Sequence, residues 1–206
     1  MTYFRGQIKN PLAKLTGMNN IKQSFIDARK MIDLFIGDEK NIDLIEAAGN
    51  LMVKAIRSNH KIISCGNGGS MSDAMHFAEE LTGLFRDLRP AIPAISISDP
   101  SHITCAANDF GFENIFSRYI EGVGQEGDVL LAISTSGNSK NVVNAALSAR
   151  KKNMEIVALT GKEGGTLAEN CDIEIRAPFS KYSDRTQEIH IKIIHSLIQY
   201  IENNIT

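Results

Sequence analysis

The chain has 206 residues, 43% apolar and 22% charged, with a net charge of −2 and a pI near 6.2. That composition fits one globular domain, and it argues against a protein held to nucleic acid mainly by charge. No apolar run approaches the roughly 18 residues of a membrane span, and the first residues lack the apolar core of a secretory leader. A cytoplasmic protein with no membrane or nucleic-acid partner is expected. Cys65, Cys105 and Cys171 are odd in number and widely spaced, which fits reduced thiols better than a disulfide framework or a cysteine metal site.

Residues 1–18 read as an N-terminal arm, and 19–206 as a single domain. Ile21, Phe25, Ala28, Ile32 and Phe35 fall at helical spacing and predict a helix over 20–36. Ile42, Ile45, Ala48, Leu51 and Ile56 predict a second over 41–57. Two amphipathic helices cannot bury themselves alone, so they are expected to pack on the domain or on another subunit. From residue 61 the rhythm changes. Short apolar runs at 61–65, 91–98, 128–134, 155–160 and 172–178 read as strands, with Pro93 marking an edge strand or a strand start. Helical patterns at 71–86, 113–123, 139–152 and 184–203 separate or follow them. Strands mostly alternating with helices predict an α/β fold: an open, mostly parallel sheet covered on both faces. Ligands bind such sheets beyond the carboxyl ends of the strands.

Two strand-to-helix loops carry the candidate chemistry. "GNGGS" (66–70) lets backbone approach an anion at a helix start, but it lacks both the dinucleotide and the P-loop spacing, and a tight turn explains it equally well. "STSGNS" (134–139) is stronger: Ser134, Thr135, Ser136 and Ser139 offer four hydroxyls where helix capping needs one. That excess favours a phosphate monoester. On the helix after the first loop, His76 and Glu80 share a face, where they could hold a metal, move protons or stand solvated. In the last helix Asp184 and Gln187 have capping-box spacing. Gln187, Ile191 and His195 form one stripe there, with His190 on another face. His195, set among Ile193, Ile194 and Leu197, reads equally as a core histidine.

Together, "SCGNGGSMSDAMHFAEELTG", "ANDFGFENIFSRY", "GDVLLAISTSGNS", "VALTGKEGG" and "DRTQEIHIKIIH" resemble the phosphoheptose isomerases, of the SIS (sugar isomerase) class, over about residues 20–203. The resemblance implies a five-stranded parallel, flavodoxin-like sheet flanked by helices, with the two N-terminal helices serving oligomerisation. It implies a homotetramer with active sites where subunits meet. The implied reaction converts sedoheptulose 7-phosphate to D-glycero-D-manno-heptose 7-phosphate through an enediol, the first step toward ADP-heptose and the lipopolysaccharide core. Phosphate contacts would come from Ser70, Ser134, Thr135, Ser136 and Ser139. Asn67, Gly68 and Gly69 match the substrate loop, Asn108 and Asp109 the residues at sugar hydroxyls, and Asp184 and Gln187 further substrate positions. Glu80 and His195 match the acid/base pair. His76, Glu80, Gln187 and His195 match a site for one zinc ion per subunit, loosely held because an amide oxygen is a weak ligand. One position departs: relatives carry Arg after "ELTG", where this chain has Leu84, leaving Arg86 or Arg89 to compensate. The competing expectations are a non-catalytic SIS protein that binds the replication initiator DnaA, which lacks the acid and the histidine, and an isomerase of another sugar phosphate.

Overall fold

A computed structural model describes residues 11–205, with side chains from residue 19 onward. Helices α1 (Pro11–Ile36) and α2 (Glu39–Arg57) come first. The arm expected over 1–18 is shorter than that, because residues 11–18 are the opening turns of α1; residues 1–10 lie outside the described part. Pro11 starts the helix, where a missing N–H costs nothing, and Gly17 disturbs the apolar spacing without breaking the helix. Asp38 caps α2 by accepting from the Lys40 N–H at 3.2 Å.

Five strands follow: β1 (Ile62–Gly66), β2 (Ala94–Ser96), β3 (Val129–Ser134), β4 (Glu155–Thr160) and β5 (Ile173–Arg176). All pair in parallel, in the order β2-β1-β3-β4-β5. Pro93 therefore does precede an edge strand. Every residue of β1 and β3 is buried, as a strand covered on both faces requires.

Successive side chains point to opposite faces. In β3, Val129, Leu131 and Ile133 join one core, with Met52 of α2, Phe77 of α3 (Gly69–Thr82) and Leu197 of α8 (Ser183–Ile205). Leu130 and Ala132 join the other. That second core takes Ala106 from α4 (Pro100–Phe110), Phe116 from α5 (Ile115–Val123), Ala145 from α6 (Lys140–Lys151) and Leu167 from the single turn α7 (Gly165–Ala168). The result is three layers, with α1, α2, α3 and α8 on one face and α4 to α7 on the other.

Two elements differ from the sequence expectation. Helix α4 fills the stretch between β2 and residue 111, where no helix is predicted. Its signal is at the cap: the Asp99 carboxylate accepts from the His102 N–H at 2.8 Å and Pro100 sits in the first turn. Apolar periodicity is weak because Ala106 is its only fully buried residue. Helix α3 ends at Thr82, not 86, with Gly83 following.

Candidate active site

The strand order reverses direction between β1 and β3, which opens a crevice at their carboxyl ends. The two candidate loops lie there, one feeding α3 and the other α6. They are tied by a reciprocal amide pair: Asn67 Nδ2 donates to Asn141 Oδ1 and Asn141 Nδ2 donates to Asn67 Oδ1, both at 2.8 Å. A cleft of about 320 Å³ beside the pair is lined by Asn67, Phe112, Glu113, Ser139, Lys140 and Asn141.

In the serine loop, Ser134 Oγ donates to Ser139 Oγ at 3.2 Å, and the Asn138 N–H donates to Ser136 Oγ at 3.2 Å. Ser139 stands at the helix N-cap yet makes no side-chain cap bond. Gly68, at the N-cap of α3, has no side chain to offer. Neither N-cap residue caps its own helix, and although Asn141 Oδ1 accepts from the Val142 N–H at 3.0 Å, the earliest N–H groups of each helix favour an anion. Ser70, the fourth residue of "NGGS", is buried at the start of α3.

Sequence reasoning missed Asn138. Its Oδ1 accepts from Thr166 N at 3.1 Å and from Thr166 Oγ1 at 3.2 Å, while its Nδ2 donates to Ser136 O. This braces the serine loop on the turn at 161–166. Gly137 is held at φ +66° so close to that turn that a Cβ there would meet Gly164 O.

On the other side of the crevice α3 and α8 carry the ionisable groups. Gly69 packs against the Gln187 amide, since a Cβ at Gly69 would overlap that side chain. Two turns further along, His76 meets His195: their Nε2 atoms lie 2.9 Å apart and their rings cross edge to face at 72°. Glu80 Oε1 is 3.7 Å from His76 Nε2, and Glu79 Oε1 is 3.0 Å from His76 Nδ1. Phe85 covers the His195 ring at 5.8 Å. Burial, and then the neighbouring His76 and Lys192, pull the His195 pKa below the ordinary imidazole value. His195 is half-buried rather than a core residue. The core histidine is His190, fully enclosed, with Nε2 against Thr160 O at 2.8 Å.

Asp73 lies on the same face of α3, one turn before His76. Among the described residues its Oδ2 is buried without a partner, and burial pushes the carboxyl up to about 6. Its place in the Gly69, Asp73, His76, Glu80 stripe was legible as spacing, but nothing in the sequence marked it as buried.

Other expected residues are not drawn into this cluster. Asn108 and Asp109 occupy the exposed last turn of α4 and bond to each other at 2.7 Å. Asp184 lies inside the first turn of α8, with Oδ1 accepting from Arg185 N. The capping box expected with Gln187 does not form, because Gln187 turns to Gly69 instead. Among the described residues, no hydrogen bond joins Asn108, Asp109, Asp184 or Gln187 to the histidine pair.

A SIS domain profile matches residues 29–161. The chain is 57% identical over 176 residues to the phosphoheptose isomerase of Glaesserella parasuis serovar 5, a match covering 85% of this chain and 92% of that protein. It is 57% identical over 185 residues to the phosphoheptose isomerase of Haemophilus ducreyi, covering 90% and 95%. The solved phosphoheptose isomerase from Neisseria gonorrhoeae superposes with a TM-score of 0.84 at 34% identity, over 90% of this chain and 98% of that one.

The chain belongs to the phosphoheptose isomerase family of SIS domain proteins. Within that family pattern, the two arginines near Leu84 have different fates. Arg89 is committed to structure: its side chain is 2% exposed, it pairs with Glu202 at 2.9 Å, and it donates to Glu80 O and Leu81 O at 2.8 Å. It therefore cannot compensate for Leu84, whose side chain is exposed. Arg86 remains at the site, over the Phe85 ring and close enough to lower the His195 pKa.

The ligand set fits zinc in part. Two imidazole nitrogens at about 2.0 Å from a tetrahedral ion stand about 3.3 Å apart, close to the 2.9 Å between the two Nε2 atoms. Glu80 adds a carboxylate beside them. Glu79 is in the same cluster of possible metal-binding groups, but its carboxylate addresses the other nitrogen of His76. It is placed as a partner of a candidate ligand rather than as a candidate ligand itself.

Proposed function

We propose that the protein interconverts sedoheptulose 7-phosphate and D-glycero-D-manno-heptose 7-phosphate, supplying a heptose precursor of lipopolysaccharide in the cytoplasm. The observation that carries this is the meeting of His76, Glu80 and His195 beside a hydroxyl-rich anion crevice, in a chain 57% identical to phosphoheptose isomerases.

The phosphate is held by Ser70, Ser134, Thr135, Ser136 and Ser139 together with the two helix starts. Asn67, Gly68 and Gly69 face the chain of the sugar. Asn108, Asp109, Asp184 and Gln187 complete the substrate contacts within a homotetramer, where a neighbouring subunit adjoins the exposed residues. Glu80, as carboxylate, takes the proton from C1 of the ketose while His195 gives one to the C2 carbonyl oxygen, leaving a cis-enediol. His195 then receives the O1 proton and Glu80 returns its proton to C2, giving the aldose. Each group ends as it began, and no redox partner is needed. Zinc held by His76, Glu80, Gln187 and His195 would supply Lewis-acid polarisation of the sugar oxygens. No step assigned to these side chains depends on its geometry.

The test is an NMR time course with sedoheptulose 7-phosphate, run on the protein as isolated, after chelation and after zinc addition, with Glu80→Gln as control. Conversion by the wild type and none by the variant is expected. Full activity in Glu80→Gln removes Glu80 from the chemistry. Silence in all three wild-type samples, with the protein folded, shifts the substrate to another sugar phosphate.

A further inference from the structure

The phosphate contacts named above are hydroxyls and backbone N–H groups, none with a formal charge. A phosphate monoester carries about −1.5 to −2 at neutral pH. Its counter-charge has to come from a neighbour. Of the six residues lining the cleft beside Asn67 and Ser139, Lys140 is the one cation. Glu113 lines the same cleft, held to α6 by its carbonyl, which accepts from Asn144 Nδ2 at 2.9 Å. Left alone, its charge would repel a phosphate. The Glu113 carboxylate turns back on its own loop, where a Cβ added at Gly111 would stand 2.9 Å from Oε2. Among the described residues no carboxylate forms an ion pair with the Lys140 ammonium group.

Lys140 also stands at the unfavourable end of its helix. It is the first residue of α6 after the N-cap Ser139, where the macrodipole is positive and an acidic side chain is preferred. Helix α2 follows that preference, with Glu39 in its first turn and Lys54 and Arg57 in its last. Helix α6 follows it at its far end, with Arg150 and Lys151, but its first turn holds no acidic residue to offset Lys140. A phosphate in the cleft reverses the sign of this arrangement. The helix N–H groups and the ammonium group repel each other without an anion, and both attract one that sits between them. A residue that breaks a local rule beside a candidate site is explained by the site's occupant.

We propose that Lys140 is a phosphate-binding residue of the isomerase: it offsets Glu113, supplies the counter-charge of the sugar phosphate and draws the anion into the cleft. This deepens the isomerase reading and rests on its phosphate site. The division of labour follows from the side chains. Ser134, Ser136 and Ser139 sit on a braced loop and fix where the phosphate lies. Lys140 is an exposed point charge on a flexible stem, so it acts through its field rather than through fixed geometry. Its effect falls on binding and capture and is screened by salt, while proton transfer at Glu80 and His195 is left alone.

The test uses the full-length protein, wild type and Lys140→Ala, with two probes. The first is inorganic phosphate, whose binding is read from the rise in melting temperature. The second is sedoheptulose 7-phosphate, read as KM and kcat. In about 0.01 M salt, where the screening length is about 30 Å, Lys140→Ala is expected to weaken phosphate binding and raise KM about 5-fold, the upper end for an exposed ion pair, with kcat unchanged. In about 1 M salt, where that length is about 3 Å, the difference should close. Lys140→Arg is expected to keep the wild-type values and Glu113→Gln to tighten phosphate binding, which a merely structural lysine would not produce. Without phosphate, Lys140→Ala should melt at or above the wild-type temperature, because the helix start loses a like-signed charge. Wild-type KM and phosphate affinity in Lys140→Ala at low salt overturn the proposal, as does a difference that survives high salt. A wild type that phosphate stabilises through Lys140, but that leaves the sugar unconverted, sinks the substrate assignment alone. An active wild type with an indifferent Lys140→Ala sinks Lys140 alone, and a protein that neither binds phosphate nor converts the sugar sinks both.

Discussion

His190 and His195 lie on the same helix and have opposite environments, which gives them opposite uses. His190 is fully enclosed and donates from Nε2 to Thr160 O, while its Nδ1 has no partner among the described residues. Burial pulls its pKa from 6.5 to about 4. The unfolded chain takes up a proton near pH 6.5 and the folded chain only near pH 4. Stability from this group is therefore complete above the upper value and is lost as pH falls through the lower one. The shift corresponds to roughly 3 kcal/mol. Urea unfolding across that window is expected to show the fall, and His190→Leu should flatten it while lowering stability at neutral pH through loss of the Thr160 bond. An unchanged slope in the variant would assign the acid sensitivity elsewhere. At this scale the sequence was legible by residue type and ambiguous by environment. It offered two histidines on two faces of one helix, and their burial was set by neighbours 30 or more residues away. The same holds for Arg89, whose role in capping the end of α3 and pairing with Glu202 depends on a contact 113 residues distant.

Among the elements, the serine loop shows how a site is stiffened from outside. Its hydroxyls bond within the loop, and its backbone is braced by Asn138 against the turn at 161–166. Gly137 permits that approach twice over, by its positive φ and by its missing Cβ. Gly137→Ala is expected to push the two turns apart and weaken sugar-phosphate binding. Ser136→Ala, which removes only a hydroxyl, should weaken it by about 1.5–3 kcal/mol, roughly 10- to 150-fold. Calorimetric titration checks both, and undiminished affinity in Ser136→Ala would remove the loop from the phosphate. The five strands and most helices were readable because apolar alternation and spacing coincide with burial. Helix α4 was not, because a helix that buries one alanine leaves little pattern to read. The meeting of His76 with His195 across 119 positions is a tertiary fact that no local spacing encodes.

For the whole molecule, the unexplained surface is on α1. Ile21 is 64% exposed, Phe25 76% and Ile32 43%, along a helix about 39 Å long. Such a stripe on a water-facing helix fits the interface of the proposed homotetramer. Light scattering is expected to read four times the 22.6 kDa chain mass, and Phe25→Asp to give smaller species. A wild-type monomer at working concentration would leave the stripe without its proposed occupant. The seam between α2 and α8 has another consequence. Gly49 lies flat against the Tyr200 ring, Tyr200 donates to Asn50 at 2.8 Å, and Arg57 donates to Asn204 O at 2.6 Å. One side of the sheet is thus closed by the second and the last helices of the described chain. During synthesis α2 leaves the ribosome long before α8 exists, so Met52 and Val53 must wait for nearly the whole polypeptide before that core can shut. The other side, built from residues 63–171, has no such delay. The nascent protein is therefore lopsided, sealed on one face while the other still lacks the helix that carries His195.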